Sequence, residues 1–169
     1  MKIFLDTIDL KEIKKYNEIL NIGGVTTNPN LARRFGMSDD IEMVREIGKV
    51  IGSEKEIHVE AFGENAKEII SNSERIKKNC SKFDLIFKIP FSEEGVKAAK
   101  FLIKKKYKTN LHLIFSLSQA IISASIKSNY ICPLIGRLDD IGHSAIENLS
   151  AIIKSYKTHN SKTLIMGSS

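Results

Sequence analysis

Seven short apolar runs, at positions 2–5, 24–26, 57–61, 85–89, 110–114, 130–132 and 163–166, alternate with amphipathic stretches along the whole chain. Most are dominated by Ile, Val, Leu and Phe, the composition of strands covered on both faces. The stretches between them, at 9–20, 39–51, 66–79, 93–105, 116–127 and 140–156, carry apolar residues at intervals of three and four, as Ile41, Val44, Ile47 and Ile51 do. Ser92 followed by Glu93 and Glu94 supplies a capping hydroxyl and early acidic charge for the fourth stretch, and Ser116 can cap the fifth. A strict strand–helix order with short connections demands right-handed parallel crossovers. The fold class is therefore α/β, either an open doubly wound sheet or a closed barrel.

Size and charge narrow the function classes. The 169 residues are expected to form a single domain over 1–169, and 42% hydrophobic with 27% charged residues excludes disordered and fibrous chains. Cys80 and Cys132 give neither a disulfide framework nor zinc-ligand spacing, and His58, His112, His143 and His159 have no i, i+4 partner, so no metal site is expected. The N-terminus carries Lys2 and Asp6 where a signal peptide would be apolar, and charges interrupt every apolar segment, so neither a leader nor a membrane span is expected and the location expected is cytoplasmic. The net charge of +6 favours phosphate-bearing partners. Its lysines are scattered along helical stretches without interleaved aromatics, which argues for solvated faces and against nucleic acid.

Polar residues mark one end of the strands. Asp6, Thr26 with Thr27 and Asn28, Glu60, Lys88 and Arg137 all fall within or just after a strand pattern. In a parallel barrel that end carries the active site, whereas an open sheet gathers its chemistry at one switch point, usually with a glycine-rich phosphate turn that this chain lacks. The barrel is favoured. An ammonium on Lys88, between large apolar neighbours, is expensive, so unless it is paired, burial favours the neutral amine that attacks a carbonyl. The plainer alternative is a lysine that snorkels or pairs with a carboxylate. Asp6 and Glu60 are two carboxylates suited to the proton transfers of imine chemistry. Capping of the first helix by Asp6, or a salt bridge from Glu60 to Lys88, is the structural alternative. Arg137, one of five arginines, is the one expected at this end, where its guanidinium fork suits a phosphate; pairing with Asp139 or Asp140 is the alternative.

Several ordered blocks then resemble a known family. Phe4-Leu5-Asp6-Thr7, Gly24-Val25-Thr26-Thr27-Asn28-Pro29, Lys88-Ile89-Pro90 with Glu93-Glu94-Gly95, Leu113-Ile114-Phe115-Ser116 with Gln119-Ala120, and Gly136-Arg137-Leu138-Asp139-Asp140-Ile141-Gly142 resemble the small-subunit transaldolases, a group that includes the bacterial fructose-6-phosphate aldolases. The resemblance implies a (β/α)8 TIM barrel that moves a dihydroxyacetone unit between sugar phosphates without metal or organic cofactor, in the non-oxidative pentose phosphate pathway. It implies Lys88 as the Schiff-base lysine, Asp6 as the acid/base group of carbon–carbon cleavage, Asn28 as a side chain that hydrogen-bonds the intermediate and Arg137 as the phosphate ligand. Thr26 and Ser116 are expected among the substrate-binding residues. Glu60 matches the carboxylate that transaldolases use with an ordered water; the aldolases carry glutamine there, so Glu60 favours transaldolase over simple aldolase.

The chain departs from the family pattern in three places. His112 replaces a threonine that helps to hold the water, and imidazole is larger though it too donates or accepts a hydrogen bond. Leu134 stands where the family favours an aromatic residue. Ser169 matches a substrate-contacting serine after which the family continues. With roughly 27 residues per unit, eight units need about 215 residues, so the expected fold is a C-terminally truncated barrel of about seven strands and six helices with two unpaired edges. Family members associate through surfaces that include C-terminal helices, which leaves homo-oligomerisation open. A truncated non-catalytic remnant and a basic nucleic-acid-binding module are the competing functional readings.

Overall fold

A computed structural model describes residues 1–37, 39–140, 142 and 144–168. Among the described residues the elements alternate as β1 (Phe4–Asp6), α1 (Leu10–Ile19), β2 (Gly24–Thr26), α2 (Pro29–Arg34), α3 (Asp40–Ile51), β3 (Glu56–Glu60), α4 (Ala66–Asn79), β4 (Asp84–Pro90), α5 (Glu93–Lys104), β5 (Lys108–Ile114), α6 (Leu117–Ser125), β6 (Tyr130–Pro133), α7 (Ile135–Asp140), α8 (Ala145–Thr158) and β7 (Leu164–Ile165). Strand order in the sheet is the order in the chain, β1 to β7. That order has no reversal point, so the doubly wound alternative is excluded and the topology is that of successive β/α barrel units.

The expected seven strands are present, while the helices number eight among the described residues rather than about six. The two additional helices, α2 and α7, are six residues each and lie inside what read as βα loops. Neither carries an amphipathic period long enough to register in sequence. α2 is started by local chemistry instead, with Asn28 as N-cap and Pro29 at the first helical position.

The described residues divide into two units, Met1–Phe62 with Ser71–Phe87, and Gly63–Ile70 with the chain from Lys88 onward. In the first, β1, β2 and β3 pair in parallel, with Asp6 opposite Thr26 and Thr26 opposite His58. Gly24 lies so close to β3 that a Cβ there would stand 1.9 Å from the Glu56 carbonyl oxygen. Met43, Val44, Ile47 and Ile51 form the buried ridge of α3, packed with α1 and β3. Burial of such a side chain contributes about 1.5–3 kcal/mol. The pairing of Arg75 with both oxygens of Asp40, each at 2.7 Å, ties α4 to the start of α3.

In the second unit, β5, β6 and β7 pair in parallel with Asn110 opposite Tyr130, His112 opposite Cys132 and Ile131 opposite Ile165. Leu111, Ile114, Ile131, Ala120 and Ile152 are fully buried. The Tyr156 hydroxyl of α8 donates to the Ala120 carbonyl of α6 at 2.7 Å, and burial pushes this phenol above its ordinary range. One irregularity stands out in β5, where the register slips between His112 and Ile114 and Leu113 adopts a left-handed φ of 59°. For a leucine that conformation costs about 1–2 kcal/mol.

Candidate active site

In the first unit, the predicted residues gather where the strands end. Asp6 and Thr26 are the last residues of β1 and β2 and stand opposite each other. Thr26, 7% exposed as a residue, donates its hydroxyl to Asp6 Oδ1 at 2.8 Å, so a nearly buried residue fixes the orientation of an exposed carboxylate. Asp6 does not cap α1. That task falls to Asp9, whose Oδ1 accepts from the amides of Lys11 and Glu12. Glu60 closes β3 two residues beyond His58, and alternation places it on the sheet face that carries the Asp6–Thr26–His58 row.

Asn28 lies two residues past the end of β2. Its Oδ1 accepts from the Leu31 amide at 3.0 Å, which commits the carbonyl end to the cap of α2 and presents the amide Nδ2 as its donating end. Asn28 and Glu60 share a cleft of about 100 Å³ with Met37, Asp40 and Phe62. At ~30 Å³ per water, this has room for a few water molecules.

In the second unit, Lys88 sits near the end of β4 with only 9% of its surface exposed. Behind it the chain turns into α5, whose N-terminus presses on the strand so closely that a Cβ on Gly95 would lie 2.0 Å from the Pro90 carbonyl oxygen. Ser92 caps α5 by accepting from the Gly95 amide at 3.0 Å. Glu94 Oε2 accepts from the Ala66 amide at 2.9 Å, tying the start of α4 to α5. Its carboxyl is held below the usual range, first by its hydrogen bond with Lys97 and then by the Ala66 amide. Glu93 and Glu94 in turn push Lys97 upward.

His112 is half-buried on β5. Ser116 forms a capping box at the start of α6, its Oγ accepting from the Gln119 amide while Gln119 Oε1 accepts from the Ser116 amide at 3.1 Å. The hydroxyl hydrogen remains the part of Ser116 that can meet a ligand. Arg137 lies exposed on α7 and, among the described residues, pairs with neither Asp139 nor Asp140; Asp139 instead accepts from the Ala145 amide at the start of α8. Ser169 and His143 lie outside the described residues.

The described site residues thus fall at strand C-terminal ends or at the helix starts that follow, four in each unit. Asp6 and Thr26 are brought into direct contact. The bond between them was missed in sequence, where Thr26 stood only as a substrate-binding residue, although a threonine and an aspartate closing successive strands are the signal for it. A cavity of about 660 Å³ opens at the other end of the second unit, beside Ser128 and Thr163 ahead of β6 and β7, and takes in no predicted residue.

Comparison with known proteins identifies the family of this chain. Residues 3–169 match the transaldolase/fructose-6-phosphate aldolase family. A probable transaldolase of Geobacillus sp. (strain WCH70) is 36% identical over the whole chain, which covers 77% of that protein. A probable transaldolase of Clostridium botulinum (strain Hall) is 38% identical, again over the whole chain and 76% of the relative. The protein belongs to the transaldolase/fructose-6-phosphate aldolase family. Among solved structures, a dipeptide epimerase from Enterococcus faecalis V583 matches with a TM-score of 0.64 at 12% identity over 99% of this chain and 47% of that one. The L-Ala-D/L-Glu epimerase from Bacillus subtilis matches with a TM-score of 0.65 at 12% identity, over 99% and 46%. These two share the fold, and this chain spans about half their length. No helix among the described residues is long and apolar enough to cross a membrane.

Proposed function

We propose that the protein is a Schiff-base transaldolase that moves a dihydroxyacetone unit from sedoheptulose 7-phosphate to glyceraldehyde 3-phosphate, giving erythrose 4-phosphate and fructose 6-phosphate. The observation that carries this is the 9%-exposed Lys88 near the C-terminal end of β4, in a chain whose relatives are named probable transaldolases. A lysine amine is the nucleophile that imine chemistry needs to add to a ketone.

The steps follow from the groups. The Lys88 amine adds to the C2 carbonyl of the donor sugar, and loss of water leaves an iminium ion. The C3–C4 bond then breaks as the Asp6 carboxylate takes the proton of the C4 hydroxyl; the electron pair moves into the iminium as an enamine and the first aldehyde departs. The enamine attacks the acceptor aldehyde, Asp6 returns the proton to the new hydroxyl, and water releases the product from Lys88. The bond from Thr26 keeps Asp6 oriented for both transfers. Asn28 Nδ2 donates to the intermediate, Arg137 holds the phosphate, and Glu60 works through a water in the cleft it shares with Asn28. His112, Ser116 and Ser169 complete the substrate contacts. The partners are phosphorylated sugars, and the setting is the non-oxidative pentose phosphate pathway in the cytoplasm.

Fructose-6-phosphate aldolase activity is the second reading, and Glu60, where those enzymes carry glutamine, favours transfer over cleavage. Incubation with sedoheptulose 7-phosphate and glyceraldehyde 3-phosphate tests the choice. Fructose 6-phosphate and erythrose 4-phosphate in equal amounts support transfer; free dihydroxyacetone from fructose 6-phosphate supports cleavage; no turnover of either by folded protein contradicts both.

A further inference from the structure

Among the described residues, four other than glycine have positive φ: Lys106, Leu113, Lys127 and Asn160. Three of them end helices, where one left-handed residue lets an amide close on the last turn: Lys106 on Ile103, Lys127 on Ala124 and Asn160 on Lys157. Leu113 ends nothing. It lies inside β5 as an extra residue, because His112 pairs with Cys132 and Ile114 with the very next residue of β6, Pro133. A strand without Leu113 would keep the alternation that buries Ile114 away from the His112 face, so the fold does not require the insertion.

The two carbonyls that flank Leu113 hold two different loops. The His112 carbonyl accepts from the Phe91 amide at 2.9 Å, and the Ile114 carbonyl accepts from the Leu134 amide at 3.2 Å. Phe91 is three residues past Lys88, and Leu134 is three residues before Arg137. The bulge therefore lies between the anchor of the lysine segment and the anchor of the arginine segment. Bulges are found beside active sites, where they redirect what the strand carries.

We infer that the Leu113 bulge is a spacer that sets the reach from the Lys88 amine to the Arg137 guanidinium, and so the distance between the reacting ketone and the phosphate of the substrate. Leu113 is a positioning residue in this account. The inference rests on the reading of Lys88 as the imine-forming lysine and of Arg137 as the phosphate ligand.

Deletion of Leu113 removes the spacer and Leu113→Val, whose β-branch resists positive φ, distorts it, whereas Leu113→Gly keeps it without strain. Each variant is compared with the parent after a cooperative melt has shown it folded. The readouts are steady-state kinetics with fructose 6-phosphate as donor, and borohydride trapping with dihydroxyacetone, which has no phosphate. A spacer predicts that deletion, or Leu113→Val should the deletion fail to fold, lowers kcat/KM for fructose 6-phosphate on the order of 100-fold while trapping of dihydroxyacetone stays at the parent level. Leu113→Gly retains the parent values for both. Parent-like kinetics in the folded deletion variant would overturn the inference, as would parallel loss of phosphorylated and unphosphorylated substrates. A parent that traps neither sugar removes the imine reading, and this inference with it; a parent that traps both while the deletion is silent removes the inference alone.

Discussion

At the residue scale the account turns on a few side chains whose partners define their work. Thr26 is the clearest, since its hydroxyl spends its hydrogen on Asp6. Thr26→Val keeps the shape and removes the donor; it is expected to lower kcat on the order of 10- to 100-fold, the range of a mispositioned acid/base group, with little change in KM. Thr26→Ser should restore most of the rate. Glu60→Gln is expected to shift the product ratio from transfer toward release of free dihydroxyacetone, measured by the fraction of donor sugar that yields no new ketose phosphate. An unchanged ratio would remove Glu60 from the choice between the two activities. Lys88, Asp6 and Glu60 were legible in sequence because charges inside or at the end of apolar strands are conspicuous. The Thr26–Asp6 bond was not, because it depends on register, which places Asp6 opposite Thr26 only once β1 and β2 pair.

At the scale of elements, local chemistry decides where helices begin and how they stay attached. Ser116→Ala removes one half of the capping box of α6 and is expected to cost about 1 kcal/mol, read as a lower denaturation midpoint at unchanged slope. Tyr156→Phe removes the bond that ties α8 to α6 and is expected to cost about 1 kcal/mol as well. Because burial raises the Tyr156 phenol, the folded state holds its proton more tightly than the unfolded chain does. The stability from this difference is present below about pH 10, the ordinary tyrosine value, and fades as pH rises beyond it. Tyr156→Phe should therefore flatten the alkaline fall in melting temperature, and an alkaline limb identical in both proteins would assign it to other groups. The long helices were legible from their three-and-four periodicity. α2 and α7 were not, since six residues hold less than two turns and give no period to read. The bulge at Leu113 left no signal at all, because a leucine in an apolar run looks the same with either sign of φ.

At the scale of the whole molecule, the alternation of apolar runs and amphipathic stretches was enough for the class of fold, and the order of strands settles the rest of the topology. Asp6, Thr26 and Glu60 are each the last residue of a strand, and Lys88 stands two residues before the end of β4. Four of the blocks that resemble the transaldolases, at 4–7, 24–29, 88–90 and 113–116, run through strand ends, and the block that holds Arg137 begins within α7. The role of Lys88 is tested chemically. Fructose 6-phosphate is added to the folded protein, the imine is reduced with borohydride, and intact mass and peptide mapping follow. One reduced three-carbon adduct per chain is expected, on Lys88 and absent from Lys88→Arg; folded protein with no adduct, or with the adduct on another lysine, would contradict the imine mechanism.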